Sequence, residues 1–168
     1  VDRGKRGADR HHAQPGQTMT APLALVTGGV KRVGAVIAAR LAESGYALAL
    51  HGNSDTVPDD ALADTLGAAG CEWSGFQQDF TIDGAAGTLM GQVAGHFGRL
   101  PDLIVNSASI FGQDDAGSIS EKDLQEHFRV NSLVPVLLAT ALYQRRSAGR
   151  GRACVIHMLD QRVHNPNR

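Results

Sequence analysis

Between Ala21 and Met158 the chain alternates short, unbroken apolar runs with segments whose apolar residues recur at helical spacing. No other feature narrows the accessible folds as much. A strand that is apolar at every position must be buried on both faces, and the helices between such strands are what cover those faces. The runs at 23–26, 46–51, 103–105 and 153–158 are the expected strands, with a less regular one through Trp73 and Phe76 to Asp79 and Phe80. Between them, Val33, Ile37 and Leu41 predict a helix ended by Gly45, and Pro58 predicts the first position of a short helix running through Leu66. Ile82, Ala86, Leu89, Val93 and Phe97 form one helical stripe. Ser120 with Asp123 makes a capping box that opens a long helix through Leu124, Phe128, Leu133 and Leu137 to about Tyr143, with Pro135 as its kink. The expected class is α/β, a doubly wound parallel sheet of about five strands.

Charge and composition exclude several functions. Lys plus Arg number 16 against 17 for Asp plus Glu, a net charge of -1 that gives no reason to expect a nucleic acid or an anionic membrane as partner. A small-molecule ligand is expected instead. Cys71 and Cys154 stand apart from one another and from any histidine cluster, which indicates neither a disulfide framework nor a zinc site and fits a reducing cytoplasm. The longest apolar stretch, 133–142, contains Pro135 and falls well short of the ~20 residues that span a bilayer. Residues 1–20 carry Arg3, Lys5, Arg6 and Arg10 with His11 and His12, and read as a disordered basic tail or a misplaced start ahead of Met19. They lack the apolar stretch of a signal peptide. Residues 21–168 then form one domain. His157 reads as a hydrogen-bonded strand residue rather than a metal ligand, because no second ligand lies nearby in sequence.

Most of the chemistry lies in the first turn, Thr27-Gly28-Gly29-Val30-Lys31-Arg32-Val33-Gly34. Glycines at the end of a parallel strand let backbone approach a pyrophosphate, and the helix that follows offers unpaired N–H groups and a partial positive charge. Gly29 and Gly34 have Walker-like spacing, but Ala35 and Val36 stand where that motif needs Lys and Ser or Thr, so nucleoside-triphosphate hydrolysis is disfavoured. Thr27-Gly28-x-x-x-Arg32-x-Gly34 resembles the Thr-Gly-x-x-x-Gly-x-Gly of the short-chain dehydrogenase/reductase family, with Arg32 replacing the middle glycine. The resemblance extends from about Leu23 to the C-terminus. Asp79, followed by Phe80, matches the acidic residue these proteins place near the adenine. Asn106-Ser107-Ala108 resembles their Asn-Asn-Ala-Gly segment, and Asn131 falls where their catalytic-helix asparagine lies. Each of these residues has a plainer reading alone: Asp79 as a strand-end cap, Asn106 as a turn former, Asn131 as a polar helix residue. The order in which all occur argues for the family. The resemblance implies a Rossmann-like NAD(P)-binding domain with Thr27, Gly28, Lys31, Arg32, Val33, Gly34, Asp79, Phe80, Asn106, Ser107 and Ala108 around the cofactor.

Coenzyme choice follows from charge. NAD-specific members of such folds place an acidic residue at the end of the second strand for the ribose hydroxyls, where it repels a 2′-phosphate. Gly52 occupies that place here, followed by Asn53 and Ser54 as hydrogen-bond donors and with Arg32 as a nearby cation. This combination suits NADPH. The competing reading makes Arg32 a solvated surface residue and gives the ribose to Asp55.

Within the family, the sequence is similar to pteridine reductases. They share the arginine form of the Gly-rich turn and have an aspartate, here Asp160, where most members have a serine. Ser109 and Phe111 lie where those enzymes contact the pterin and stack an aromatic ring on it. What the resemblance implies is NADPH-dependent hydride transfer to a pterin- or dihydrofolate-like C=N, or to a carbonyl, with Asp160 and Asn131 as catalytic residues. The alternatives are a general carbonyl or acyl-carrier-protein reductase of the same family, and a dinucleotide-binding module without catalysis. The family's proton donor is a tyrosine four residues before a lysine, yet Tyr46 is followed by Leu50 and Tyr143 by Ser147. The chain is therefore expected to stop before the catalytic pair and to be inactive alone. The full-length relative is expected to be a homo-oligomer that pairs through the helix carrying Asn131.

Overall fold

The computed structural model describes residues 20–111, 118–146 and 152–159. They run β1 (Leu23–Thr27), α1 (Arg32–Glu43), β2 (Ala47–Gly52), α2 (Asp60–Ala68), β3 (Trp73–Gln77), α3 (Ala85–Phe97), β4 (Leu103–Asn106), α4 (Glu121–Phe128), a π-helical turn (Arg129–Leu133), α5 (Val134–Arg146) and β5 (Cys154–His157). The five strands form one sheet in the order β3-β2-β1-β4-β5, and every pairing is parallel. This is the doubly wound, Rossmann-like arrangement expected from the apolar runs.

Period-two alternation distributes β1 between two cores. Leu23 and Leu25 join Ala47, Ala49 and Ile104 under α3 and α5, while Ala24 and Val26 join Leu48, Leu50, Leu103 and Val105 under α1 and α2. The strand order reverses at β1 and β4, β2 and β3 being added on one side and β5 on the other, and a crevice outside the carboxyl ends of those two parallel strands is where such sheets bind ligands.

Helix termini largely follow the sequence signals. Ser120 and Asp123 form the capping box. After α1, the Gly45 N–H donates to the Ala42 carbonyl and the Tyr46 N–H to the Leu41 carbonyl, the paired bonds of a Schellman motif. Pro58 does not begin α2. Asp59 is its N-cap, accepting from the Leu62 N–H at 2.9 Å, and Pro58 stands one residue earlier.

Two helix faces differ from expectation. On α1 the buried side is Gly34, Ala35, Ala38 and Ala42, whereas Val33 is 59% exposed and Ile37 and Leu41 lie at the flank. Small residues win there because α1 begins almost in contact with the β1 turn, leaving no room for branched side chains. In the segment after Ser120, the buried residues are Val130, Val134, Leu138 and Leu142, while Leu124, Phe128, Leu137 and Tyr143 face outward. The π-turn inserts extra residues into the helical cycle and rotates the apolar phase. Pro135 follows that turn directly and has no N–H for the carbonyl of Asn131, four residues earlier. The break foreseen at Pro135 thus takes the form of the π-turn ahead of it.

Candidate functional site

The β1–α1 turn is held from three sides. Thr27 Oγ1 accepts from the Ser107 N–H at 3.1 Å and the Ala108 N–H at 3.0 Å, which fastens the segment after β4 to the turn. Gly28 has φ +62, and a Cβ there would stand 3.0 Å from the Ala108 Cα. Gly34 packs on the turn itself: a Cβ at residue 34 would stand 1.9 Å from the Gly28 carbonyl oxygen. Thr27, Gly28, Gly34, Ser107 and Ala108 are therefore brought together.

Arg32 has φ +55, the left-handed region, at the place where the family pattern has its middle glycine. An L-residue held there costs about 1–2 kcal/mol. Lys31 is the N-cap of α1 and supplies no side-chain cap, and the first turn holds no acidic residue. Two cations at an uncapped helix N-terminus oppose the helix dipole, which favours negative charge there. By contrast α2 opens with Asp59 and Asp60, and α4 with Ser120, Glu121 and Asp123.

At the end of β2, a Cβ on Gly52 would lie 1.7 Å from the Asp55 carbonyl oxygen, so the chain folds back on a position that admits no side chain. The Asp55 carboxylate accepts from the Val57 N–H at 2.9 Å, closing a local turn, and Asn53 and Ser54 are exposed on it. After β3, Asp79 Oδ1 accepts from the Thr81 N–H at 2.8 Å and the Thr81 hydroxyl at 2.7 Å, and these bonds hold its carboxyl below the usual carboxylate range. The strand-end cap reading of Asp79 is thus realised in the geometry. The Phe80 ring is buried and stacks on His51 with centroids 4.0 Å apart, so what Phe80 can offer a ligand is main chain.

Asn106 ends β4 at 5% exposure. Its Nδ2 meets His157 Nδ1 at 3.3 Å, giving His157 the hydrogen-bonded role expected of it, while Asn106 Oδ1 is the one buried side-chain oxygen among the described residues that lacks a partner. Asn131 sits in the π-turn, where Oδ1 accepts from the Ile110 N–H and Nδ2 donates to the Ile110 carbonyl, both at 2.9 Å. Its side chain is committed to the backbone between Ser109 and Phe111 and holds that segment against the π-turn. Arg129, in the same turn, pairs with Asp83 of the β3–α3 connection. Ser109 and Phe111 are both exposed. Asp160 lies outside the described residues, which hold no cluster able to bind a metal and no helix long and apolar enough to cross a membrane.

A family model for the short chain dehydrogenases matches residues 22–164. The chain belongs to the short-chain dehydrogenase family. It is 34% identical over 118 residues to an uncharacterized oxidoreductase of Methylorubrum extorquens, covering 70% of this chain and 47% of that one. It is 29% identical to pteridine reductase 1 of Leishmania tarentolae, over 88% of this chain and 63% of the relative. Among solved structures, FolM alternative dihydrofolate reductase 1 from Brucella suis in complex with NADP superposes with a TM-score of 0.74 at 31% identity, over 87% of this chain and 60% of that one. The chain thus spans roughly half to three-fifths of the length of these short-chain dehydrogenase relatives.

One residue of this short-chain dehydrogenase site escapes motif reading. His51, in an otherwise apolar strand and 2% exposed, accepts from the Gly28 N–H at Nδ1 (3.2 Å) and lies 2.8 Å from the Gln78 carbonyl at Nε2. Because Gly28 can only donate and the Gln78 carbonyl can only accept, the ring must be neutral with its proton on Nε2. Burial lowers its pKa below 6.5. The sign for stability follows: the unfolded chain takes up a proton at higher pH than the folded one, so the stability present above 6.5 is lost as pH falls from there through the folded value. Urea unfolding followed by the Trp73 fluorescence should show this decline as pH falls below 6.5, ahead of the lower range in which Asp79 and Asp123 protonate. A flat profile there would refute the neutral, buried assignment.

Proposed function

We propose that this chain is the coenzyme-binding part of an NADPH-dependent reductase whose substrate is a pterin- or dihydrofolate-like C=N compound. The observation that carries the reading is the start of α1, where Lys31 and the left-handed Arg32 crowd an uncapped helix N-terminus beside a glycine turn. An anion resolves that arrangement. Choice of the phosphorylated coenzyme rests on Gly52, where the close Asp55 carbonyl excludes the carboxylate that would repel a 2′-phosphate, and on Asn53, Ser54 and Arg32 as donors. The unpartnered Asn106 Oδ1 fits a donor group on the same ligand.

When bound, the dinucleotide supplies the hydride. The chain's own residues bind and orient: Thr27 locks the turn to Ser107 and Ala108, and Asn131 locks the Ile110 backbone between Ser109 and Phe111. The substrate class is supported by likeness to pteridine reductase 1 and to the Brucella suis dihydrofolate reductase, together with Ser109, Phe111 and Asp160 as the substrate-side residues. No Tyr-x-x-x-Lys occurs in these residues, so proton donation is not assigned to them. A reducing, cytoplasmic setting belongs to the same reading and is supported by the free thiols of Cys71 and Cys154. So does self-association through the exposed apolar side chains Leu124, Phe128, Leu137 and Tyr143, which sedimentation would reveal as a dimer or larger species.

Calorimetric titration of the 168-residue chain with NADP+ and NAD+ tests the coenzyme assignment. NADP+ is expected to bind at least about tenfold more tightly, with no reduction of dihydropterin by the chain alone. Equal or tighter NAD+ binding would overturn the assignment.

A further inference from the structure

The Gly-rich turn and the segment after β3 belong to different strand ends, and one side chain joins them. The N–H groups of Gly28 and Gly29 both end on His51: the first on its ring Nδ1 at 3.2 Å, the second on its main-chain carbonyl at 2.9 Å. From the other side of the same ring, Nε2–H donates to the Gln78 carbonyl, while the ring face lies on Phe80 at an interplanar angle of 10°. The Gln78 N–H returns to the Gly52 carbonyl. No other side chain presents an acceptor and a donor on opposite edges of a flat, stackable ring.

We propose that His51 is a positioning residue for dinucleotide binding: it fixes the Gly28–Gly29 turn in its binding shape and couples it to the Gln78–Phe80 segment, so that the phosphate and adenine sides of the site are set together. This rests on the dinucleotide reading above. His51 touches no reacting atom. Its effect is to pre-pay the ordering of two backbone segments that would otherwise be immobilised only when ligand arrives. The charged side chains on the elements around it are Lys31 and Arg32 on the turn, Asp55 after β2 and Asp79 after β3, whose carboxylate is engaged by Thr81.

Two substitutions separate positioning from bulk structure. His51→Phe keeps a ring to stack on Phe80 but removes both hydrogen bonds. His51→Asn places an amide oxygen where Nδ1 was and restores an acceptor for the Gly28 N–H. Loss of the turn bond in the Phe variant is expected to weaken NADP+ binding about tenfold or more, with the Asn variant, which restores the Gly28 bond but not the Gln78 bond, intermediate between it and wild type. Equal binding by wild type and His51→Phe, or a loss in His51→Asn as large as in His51→Phe, overturns the proposal and leaves the dinucleotide reading standing. Absence of binding by the wild-type chain removes both. Should His51→Phe fail to fold, the wild-type imidazole decides by itself. A long-range nitrogen–proton spectrum should show the Nε2–H tautomer, with both ring nitrogens shifting on saturation with NADP+. Unmoved His51 signals at saturation overturn the proposal.

Discussion

Gly34→Ala is expected to abolish detectable NADP+ binding and to destabilise the fold by about 3 kcal/mol or more. The added methyl would stand 1.9 Å from the Gly28 carbonyl oxygen, 2.7 Å from the Gly28 carbonyl carbon and 3.0 Å from the Gly29 Cα. All three are backbone atoms, so no rotamer change relieves the overlap. Either α1 lifts off the sheet, unseating Ala35, Ala38 and Ala42 from their core, or the turn moves. A moving turn breaks the Gly28 and Gly29 bonds to His51 and opens the contact with Ala108. Both routes lose the proposed phosphate site together with native packing. Gly91→Ala in α3 is the control, because a Cβ there meets nothing within 4 Å. It should be stabilising by up to about 1 kcal/mol through helix propensity alone. Urea unfolding monitored at Trp73 and calorimetry on the two variants check the contrast, and wild-type stability in Gly34→Ala would show that the turn yields more easily than its contacts imply.

β1, β2 and β4 were legible because burial on both faces leaves their runs almost wholly apolar, and the capping box at Ser120 was legible because it is wholly local. The face of α1 was not. Hydrophobic spacing ranks Val33, Ile37 and Leu41 above alanine, whereas the contact distance at Gly34 demands the smallest residues on the inner side. Likewise Leu124, Phe128 and Leu137 share a stripe only if the helix is uniform, and the π-turn at Arg129–Leu133 breaks that assumption. At the candidate site, the turn glycines, Asp79, Asn106 and Asn131 are candidates from motif order alone. Their partners could not be read that way, since the bonds of Thr27 to Ser107 and of Asn131 to Ile110 join segments far apart in sequence. His51 offered one usable signal. A histidine in a fully apolar strand must find a donor and an acceptor, and the nearest backbone without regular partners is the adjoining turn.

Arg32→Gly should move stability and coenzyme selectivity in opposite directions. Glycine adopts φ +55 freely, which relieves about 1–2 kcal/mol of left-handed strain, while its extra freedom in the unfolded chain returns about 0.4–1 kcal/mol. The net is a protein more stable by about 0.5–1 kcal/mol, an outcome that a purely structural role for Arg32 would not produce. Removing a guanidinium that pairs with a phosphate forfeits a charge-assisted interaction of about 1.5–3 kcal/mol, equivalent to roughly 10- to 100-fold weaker NADP+ binding. NAD+, which lacks the 2′-phosphate, should change little. Arg32→Lys sharpens the test: it keeps the strain and the charge but loses the planar fork, so stability should stay at the wild-type level while NADP+ binding falls to an intermediate value. If Arg32→Gly weakens NADP+ and NAD+ equally, the arginine meets the pyrophosphate common to both coenzymes rather than the 2′-phosphate. In that case the burden of selectivity shifts to Asn53 and Ser54, beside the side-chain-free position at Gly52.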